Sequence, residues 1–284
     1  MDIYIIIPCY NEEEFLEKTL SSLVNQTLKA KKILVVNDNS TDGSEEIINA
    51  FAKAHPEIST LKTQQGAQHL PGSKVVNAFN LGLAQVDDNF EIICKFDADL
   101  IFPSNYLEEI AKIFYQNRKA GMVGGFCHIK KGEAWELENL TNKDHIRGAL
   151  KAYRKECFTD IQGLKPAMGW DTVDELLAKY HNWDIITLDH LTVKHLKPTG
   201  NTYTQAAKFK QGEAFYSLRY GFVLSFIASL KLALKKKNIG LFWDYMRGYF
   251  RAKRKQKQHL VSKAEGAFIR KLRWRGIRHK VLKS

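Results

Sequence analysis

The chain has 284 residues, 44% hydrophobic and 26% charged, the balance of a globular protein long enough to bury a full core as one large domain with an appendage or as two small domains. Its four cysteines, Cys9, Cys94, Cys127 and Cys157, are widely spaced with no Cys-x-x-Cys pair, which speaks against a disulfide framework or a zinc knuckle and suits a reducing compartment. The net charge of +12 is uneven: of 43 Lys+Arg and 31 Asp+Glu, 18 and 2 fall between Lys231 and Ser284, a local +16 against −4 for everything before.

Residues 3–8, Ile-Tyr-Ile-Ile-Ile-Pro, read as a first strand and not as a signal peptide, since no basic leader or small-residue cleavage site accompanies them. Asn11 followed by Glu14 has the form of a capping box, so a helix is expected from there, with Phe15, Leu16, Leu20, Leu23 and Val24 at helical spacing. Residues 32–36 make a second strand and 37–44 a polar turn, in which Asp42 and Glu45 form a second capping box opening a helix to about residue 54. Strand, turn and capped helix, twice over, is a βαβ pattern with a parallel sheet. A short strand over 58–63 leads to a glycine-containing loop, 64–73, and a helix carrying Lys74, Asn77 and Asn80 before Gly82. A fourth strand at 91–97, a helix at 104–117 and a strand at 121–129 follow.

The fourth strand ends on Asp97-Ala98-Asp99, where the apolar run Ile92-Ile93-Cys94 gives way to two carboxylates. Ligands of open α/β sheets collect at the carboxyl ends of the strands. Paired carboxylate oxygens there suit Mg²⁺ or Mn²⁺ bridging to nucleotide phosphates, or form a strand-end turn in which Asp side chains bond nearby backbone N–H groups.

Taken together, Ile-Ile-Pro-Cys-Tyr-Asn-Glu at 6–12, Val-Asn-Asp-Asn-Ser-Thr-Asp-Gly at 36–43, the Gly-Ser-Lys-x-x-Asn-Ala-x-Asn-x-Gly run at 72–82, Asp-Ala-Asp at 97–99 and Gly-Trp-Asp-Thr-Val-Asp-Glu at 169–175 resemble a family 2 glycosyltransferase of GT-A fold, over roughly residues 1–200. That resemblance implies an α/β, Rossmann-like, mostly parallel sheet flanked by helices, with 1–100 as nucleotide-sugar half and 101–200 as acceptor half. It assigns Pro8, Tyr10, Glu12 and Asp38 to the base and ribose of a UDP or GDP sugar, Lys74 and Asp97 to the diphosphate side, and Asp97, Asp99 and His195 to Mn²⁺ or Mg²⁺. Phe79 stands where many relatives place an arginine. On the acceptor side the resemblance puts the general base at Asp171, with Asp174 one helical turn on as the runner-up, and Trp170 replacing the family's usual acidic neighbour. The implied reaction is a one-step displacement with inversion at the anomeric carbon, in cell-envelope or surface polysaccharide assembly.

Beyond Pro198 the family motifs stop, and 201–284 reads as a basic, amphipathic helical region. Phe222, Val223, Phe226, Ile227, Leu230 and Leu234 share one helical face, and Trp243, Tyr245, Tyr249 and Phe250 alternate with Arg247, Arg251, Lys253, Arg254, Lys255 and Lys257. Aromatics beside cations suit an anionic membrane surface, with the enzyme peripheral on the cytoplasmic leaflet near a glycan or lipid-linked acceptor; packing of the apolar face on the catalytic domain is the alternative. No nucleic-acid-binding motif accompanies the charge. Two other readings compete: a catalytically silent glycan- or membrane-binding relative, and a sugar-phosphate nucleotidylyltransferase, whose glycine-rich, Arg-containing loop after strand one is replaced here by Pro8-Cys9-Tyr10-Asn11.

Overall fold

The computed structural model describes residues 1–63, 73–138, 143–197 and 209–281. By internal packing the chain divides into two units, Met1–Pro166 with Trp170–Thr199, and Ala167–Gly169 with Gly200–Ser284.

The first unit is built on one sheet. Strands β1 (Ile3–Cys9), β2 (Lys32–Asn37), β3 (Ile58–Lys62) and β4 (Ile92–Phe96) are parallel, and helices α1 (Leu16–Val24), α2 (Ser44–Ala54) and α3 (Ser73–Leu83) connect them. Every residue of β4 is buried, as expected for a strand covered on both faces. Beyond β4 come β5 (Leu100–Ile101), α4 (Tyr106–Gln116), β6 (Ala120–Lys131), β7 (Ala134–Leu137), β8 (Leu150–Arg154), α5 (Lys155–Asp160), α6 (Trp170–Tyr180) and β9 (Asp184–His195). The sheet order is β3-β2-β1-β4-β8-β6-β9-β5, with β7 on β6. The sheet is mixed: β1 to β4 run parallel, as do β6 and β9, while β8 lies antiparallel between β4 and β6, β7 is antiparallel to β6 and β5 to β9. The pairing of β8 with β4 sets Lys151 opposite Lys95.

Two local expectations differ from what forms. Helix α1 starts at Leu16 and not at Asn11, and α2 starts at Ser44 behind Gly43, without a side-chain cap. The polar residues expected to cap their own helices bond across to the opposite loop, although Asp42 Oδ1 also accepts from Ser44 N (3.1 Å) at the start of α2. Asn11 Oδ1 accepts from Thr41 N (2.8 Å), Ser40 Oγ from Asn11 N (3.1 Å), Ser44 Oγ from Glu12 N (2.9 Å), Asp42 Oδ2 from Glu13 N (3.1 Å) and Glu13 Oε2 from Gly43 N (2.6 Å). Asn11 adopts φ 53°, which turns the chain back toward the second loop. The loops that follow β1 and β2 are thereby tied together at the strands' carboxyl ends. Gly72 and the rest of the expected loop 64–73, apart from Ser73, lie outside the described residues, as does Pro198.

The second unit carries α7 (Lys210–Ser217), α8 (Gly221–Lys235), α9 (Gly240–Arg254) and α10 (Lys263–Val281). Helices α7 and α9 cross backbone against backbone: a methyl at Gly212 would overlap the Tyr245 carbonyl, and one at Gly248 the Phe209 carbonyl. Ala233 of α8 packs on Phe242 and Met246 of α9. Among the described residues no helix is long and apolar enough to cross a membrane.

Candidate active site

The carboxyl ends of β1, β2 and β4 lie side by side, because Cys9 pairs with Asn37 and Ile6 with Lys95. Pro8 is the last residue but one of β1, and Tyr10, half-exposed, has the Lys74 ammonium 5.2 Å from its ring centroid, so the two residues expected at opposite ends of the donor stand together. Asp38 holds its backbone N–H on Cys9 O (2.8 Å), while its Oδ1 accepts from Thr63 Oγ1 (2.8 Å).

Asp97 and Asp99 occupy the turn between β4 and β5. Asp97 forms an ion pair with Lys95, whose side chain is buried, and Lys95 Nζ also donates to Gly148 O (3.0 Å). The short β5 places Leu100 opposite His195 on β9, which brings His195 Nε2 to 3.3 Å from Asp99 Oδ2. The other imidazole nitrogen donates to Glu138 Oε2 (2.9 Å), and Glu138 also accepts from Arg147 Nη1 (2.8 Å). Burial alone would lower the His195 pKa, but the hydrogen bonds to Asp99 and Glu138 outweigh it and lift the value to about 9.

Among the described residues two carboxylate oxygens at this site are buried and without a donor: Asp99 Oδ1 and Glu12 Oε2. Glu12 has one oxygen on Lys197 Nζ (2.9 Å), and burial, then the neighbouring Asp99 and Asp97 charges, push its pKa up against that lysine. Uncompensated buried carboxylate oxygens are costly unless something cationic meets them. Asp99 and His195, with Glu12 beside them, are donors of the kind that take Mn²⁺ or Mg²⁺. Asp97, however, is held by Lys95, and the expected trio Asp97, Asp99 and His195 does not converge; among the described residues the trio whose ligand atoms lie within 4.8 Å of one another is Cys127, Glu138 and His195. Burial pushes the Cys127 thiol up to about 12, and Glu138 is already engaged by Arg147, so this trio reads as the support that orients His195.

On the side expected to take the acceptor, α6 begins at Trp170, and Gly148 lets it approach: a methyl there would lie 2.8 Å from Trp170 Cζ2 and 3.1 Å from Asp171 Cβ. The Lys95 and Lys151 ammonium groups lie 5.3 and 5.8 Å from the Trp170 ring, so the aspartate turn after β4 and the start of α6 share one neighbourhood. Asp171 and Asp174 have different surroundings. Asp171 has a side chain 31% exposed, and His145 Nε2 lies 3.5 Å from its Oδ2. Burial would raise its pKa, but His145 and then Lys151 outweigh that and bring it to about 2. Asp174 is buried, bonded by Lys151 Nζ at 2.8 and 3.0 Å and by Tyr153 OH at 2.6 Å, and burial lifts it to about 6 despite the lysine. Glu175 accepts from His145 Nδ1 (3.0 Å), Ile146 N (2.9 Å) and Lys151 Nζ (3.2 Å). Only Asp171 of the expected pair has a carboxylate open to an incoming hydroxyl.

Sequence reasoning missed Glu138, Arg147, His145 and Lys151. Glu138 and His195 meet because β6 pairs with both β7 and β9, a register no local pattern encodes. The one available signal for Lys151 was its place amid the apolar run Leu150–Tyr153, where an unpaired lysine would be intolerable.

Residues 4–163 match the family described as Glycosyl transferase family 2. The poly-beta-1,6-N-acetyl-D-glucosamine synthase of Staphylococcus epidermidis is 32% identical over 129 residues, 45% of this chain and 29% of that protein. The minor teichoic acid biosynthesis protein GgaA of Bacillus subtilis is 30% identical over 114 residues, 39% of this chain and 24% of that protein. The chain spans less than half the length of these curated relatives. Among solved structures, Staphylococcus aureus TarS 1-349 in complex with UDP-GlcNAc superposes with a TM-score of 0.59 at 16% identity, over 88% of this chain and 73% of that one. The mannosyltransferase PcManGT from Pyrobaculum calidifontis, in complex with GDP-Man and Mn²⁺, gives 0.57 at 16% identity, over 94% and 78%. At such identities the two structures speak for the fold.

Proposed function

The chain belongs to glycosyl transferase family 2, and on that premise we propose that it is a divalent-metal-dependent, inverting transferase moving a sugar from a UDP or GDP donor to a hydroxyl acceptor in envelope or surface polysaccharide assembly. The observation that carries this reading is the pair of buried carboxylate oxygens, Asp99 Oδ1 and Glu12 Oε2, that find no donor among the described residues, at the carboxyl edge of the parallel strands. Relatives named for polysaccharide and teichoic acid synthesis, and neighbours solved with UDP-GlcNAc or with GDP-Man and Mn²⁺, support the substrate class.

In this reading 1–200 is the catalytic domain, with the nucleotide sugar on 1–100 and the acceptor on 101–200, and 201–284 serves attachment. Pro8, Tyr10, Glu12 and Asp38 form the base and ribose side. Asp99 and His195 hold the ion, which when bound neutralises charge on the departing diphosphate. Lys74, beside Tyr10, adds a positive charge for the same group. Lys95 fixes the Asp97 carboxylate, and Glu138 with Arg147 fixes the His195 ring. Asp171 takes the proton from the acceptor hydroxyl as that oxygen attacks the anomeric carbon. The bond from that carbon to the phosphate oxygen breaks on the opposite face, the nucleoside diphosphate leaves, and configuration inverts. General-base help of this kind contributes about 10²- to 10⁴-fold. Asp174, bonded by Lys151 and Tyr153, anchors the first turn of α6 and so positions Asp171. The acceptor is a glycan or lipid-linked glycan, and the enzyme sits in the cytoplasm, peripheral on the inner face of the cell membrane.

Calorimetric titration with UDP and with GDP, each with and without Mn²⁺, tests this. Metal-dependent binding of one nucleotide that is lost in Asp99→Ala is the expected result. Binding of neither nucleotide under any condition overturns the reading in favour of a catalytically silent relative.

A further inference from the structure

Helix α8 leaves several large apolar side chains outside and buries mostly small ones. Its buried side carries Leu224 with Ser225, Ser229 and Ala233, and Leu230 is partly buried beside them, while Phe222 (52%), Val223 (56%), Phe226 (41%) and Leu234 (63%) are exposed. An amphipathic helix in a globular protein turns its large apolar side chains to the core. Small residues at the helix contact with large apolar ones outward is the pattern of helices solvated by lipid.

The outward face does not stop at α8. Phe222 lies 6.0 Å from Phe250, Phe226 5.1 Å from Phe242 and Phe242 5.1 Å from Trp243, all between ring centroids, so the aromatic surface runs onto α9. There the exposed positions Trp243, Arg247, Phe250, Arg251 and Arg254 fall on one stripe at helical spacing. No acidic residue occurs in α8, and Asp244 is the sole one in α9.

We infer that the outer face of α8 and this stripe of α9 together seat the protein on an anionic phospholipid bilayer. Phe222, Val223, Phe226 and Leu234 enter the headgroup–acyl boundary, and Arg247, Arg251 and Arg254 meet lipid phosphates. The inference rests on the membrane location proposed above and gives that location its surface. At 15 residues α8 is about 22 Å long, short of the ~30 Å hydrocarbon core, so it lies in the plane of the interface. A second copy of this chain docking by the same patch would set arginine stripe against arginine stripe, since a two-fold contact is self-complementary only where the charges are. Nucleic acid would leave the Val223 and Leu234 surface without a partner.

The test is sedimentation of the full chain with vesicles of phosphatidylcholine alone and of phosphatidylcholine with 30% phosphatidylglycerol. The expected result is binding to the anionic vesicles that weakens with salt. Arg247→Gln, Arg251→Gln and Arg254→Gln together reduce it roughly a hundredfold, at about fivefold per cation. Phe222→Ser with Phe226→Ser abolishes it with the circular dichroism spectrum unchanged. Equal binding of wild type and both variants, absence of vesicle binding, a dimer in light scattering that the Phe variant dissociates, or single-stranded DNA displacing the vesicles each overturns it. Mn²⁺-dependent nucleotide titration of the same variants reads the donor site separately, so a failed membrane result leaves the transferase proposal standing or falling on its own.

Discussion

Replacing Lys151 by methionine isolates the buried charge cluster under the proposed acceptor site. Lys151 is fully buried and bonds both oxygens of Asp174 and one of Glu175, and Asp174 is 2% exposed. Removing one partner of such a cluster leaves carboxylates uncompensated and costs about 3–5 kcal/mol. The pH dependence carries the sharper signature. Asp174 in the folded protein is raised to about 6 from 3.8, so the folded state binds the extra proton, and stability is highest below the unfolded value and falls as pH rises through about 6. Without the lysine the folded pKa rises further, and the decline continues into the neutral range at up to about 1.4 kcal/mol per pH unit. Urea denaturation followed by circular dichroism between pH 5 and 8 would show the gap between wild type and Lys151→Met widening with pH. Lys151→Met with Asp174→Asn, which removes both charges, should recover part of the loss. A single-mutant cost below about 1 kcal/mol, or a double mutant no more stable than the single, would refute the assignment of Lys151 as the neutralising partner.

His145, raised to about 9 by Asp171 and Glu175 against the pull of burial, contributes stability that is complete below about 6.5 and fades as pH rises through about 9. His145→Gln should therefore lie below wild type in denaturation at pH 6 and converge with it by about pH 10. In transferase assays the same change should lower kcat by about tenfold, with KM for the donor unchanged, because it frees the Asp171 carboxylate to wander. In the helical unit, Gly248→Ala sets a methyl on the Phe209 carbonyl and should cost about 1–3 kcal/mol, read as a lower melting temperature by circular dichroism.

The first four strands, the helices between them and the aspartate turn were legible because each is local: an apolar run, a turn and a change of period. What was not legible depends on register. Glu12 looks like a helix-start charge, yet its partner is Lys197, 185 residues away in sequence. Asn11 and Asp42 have the spacing of capping residues, but Asn11 finds its donor in the opposite loop, and Asp42 divides its oxygens between Glu13 N there and Ser44 N at the start of α2. For α8 the periodicity grouped exposed Phe222, Phe226 and Leu234 with Leu230, which packs against Ala233, Phe242 and Met246, since period is blind to what covers a face. Asp171 and Asp174 are near-equivalent in sequence, and only the antiparallel pairing that sets Lys151 opposite Lys95 under α6 separates an open carboxylate from a buried anchor.

The stitching of residues 11–13 to 40–44 has a bearing on protein engineering. Because each loop supplies acceptors to the other's backbone N–H groups, the two segments behave as one transplantable cassette. A chimera that imported a foreign 36–43 segment to alter the proposed nucleotide site, while keeping 10–13, would leave the Asn11 and Glu13 amides without their Ser40 and Asp42 acceptors. Donor exchange by recombination therefore has its natural crossover points within the flanking strands, outside the stitched pair.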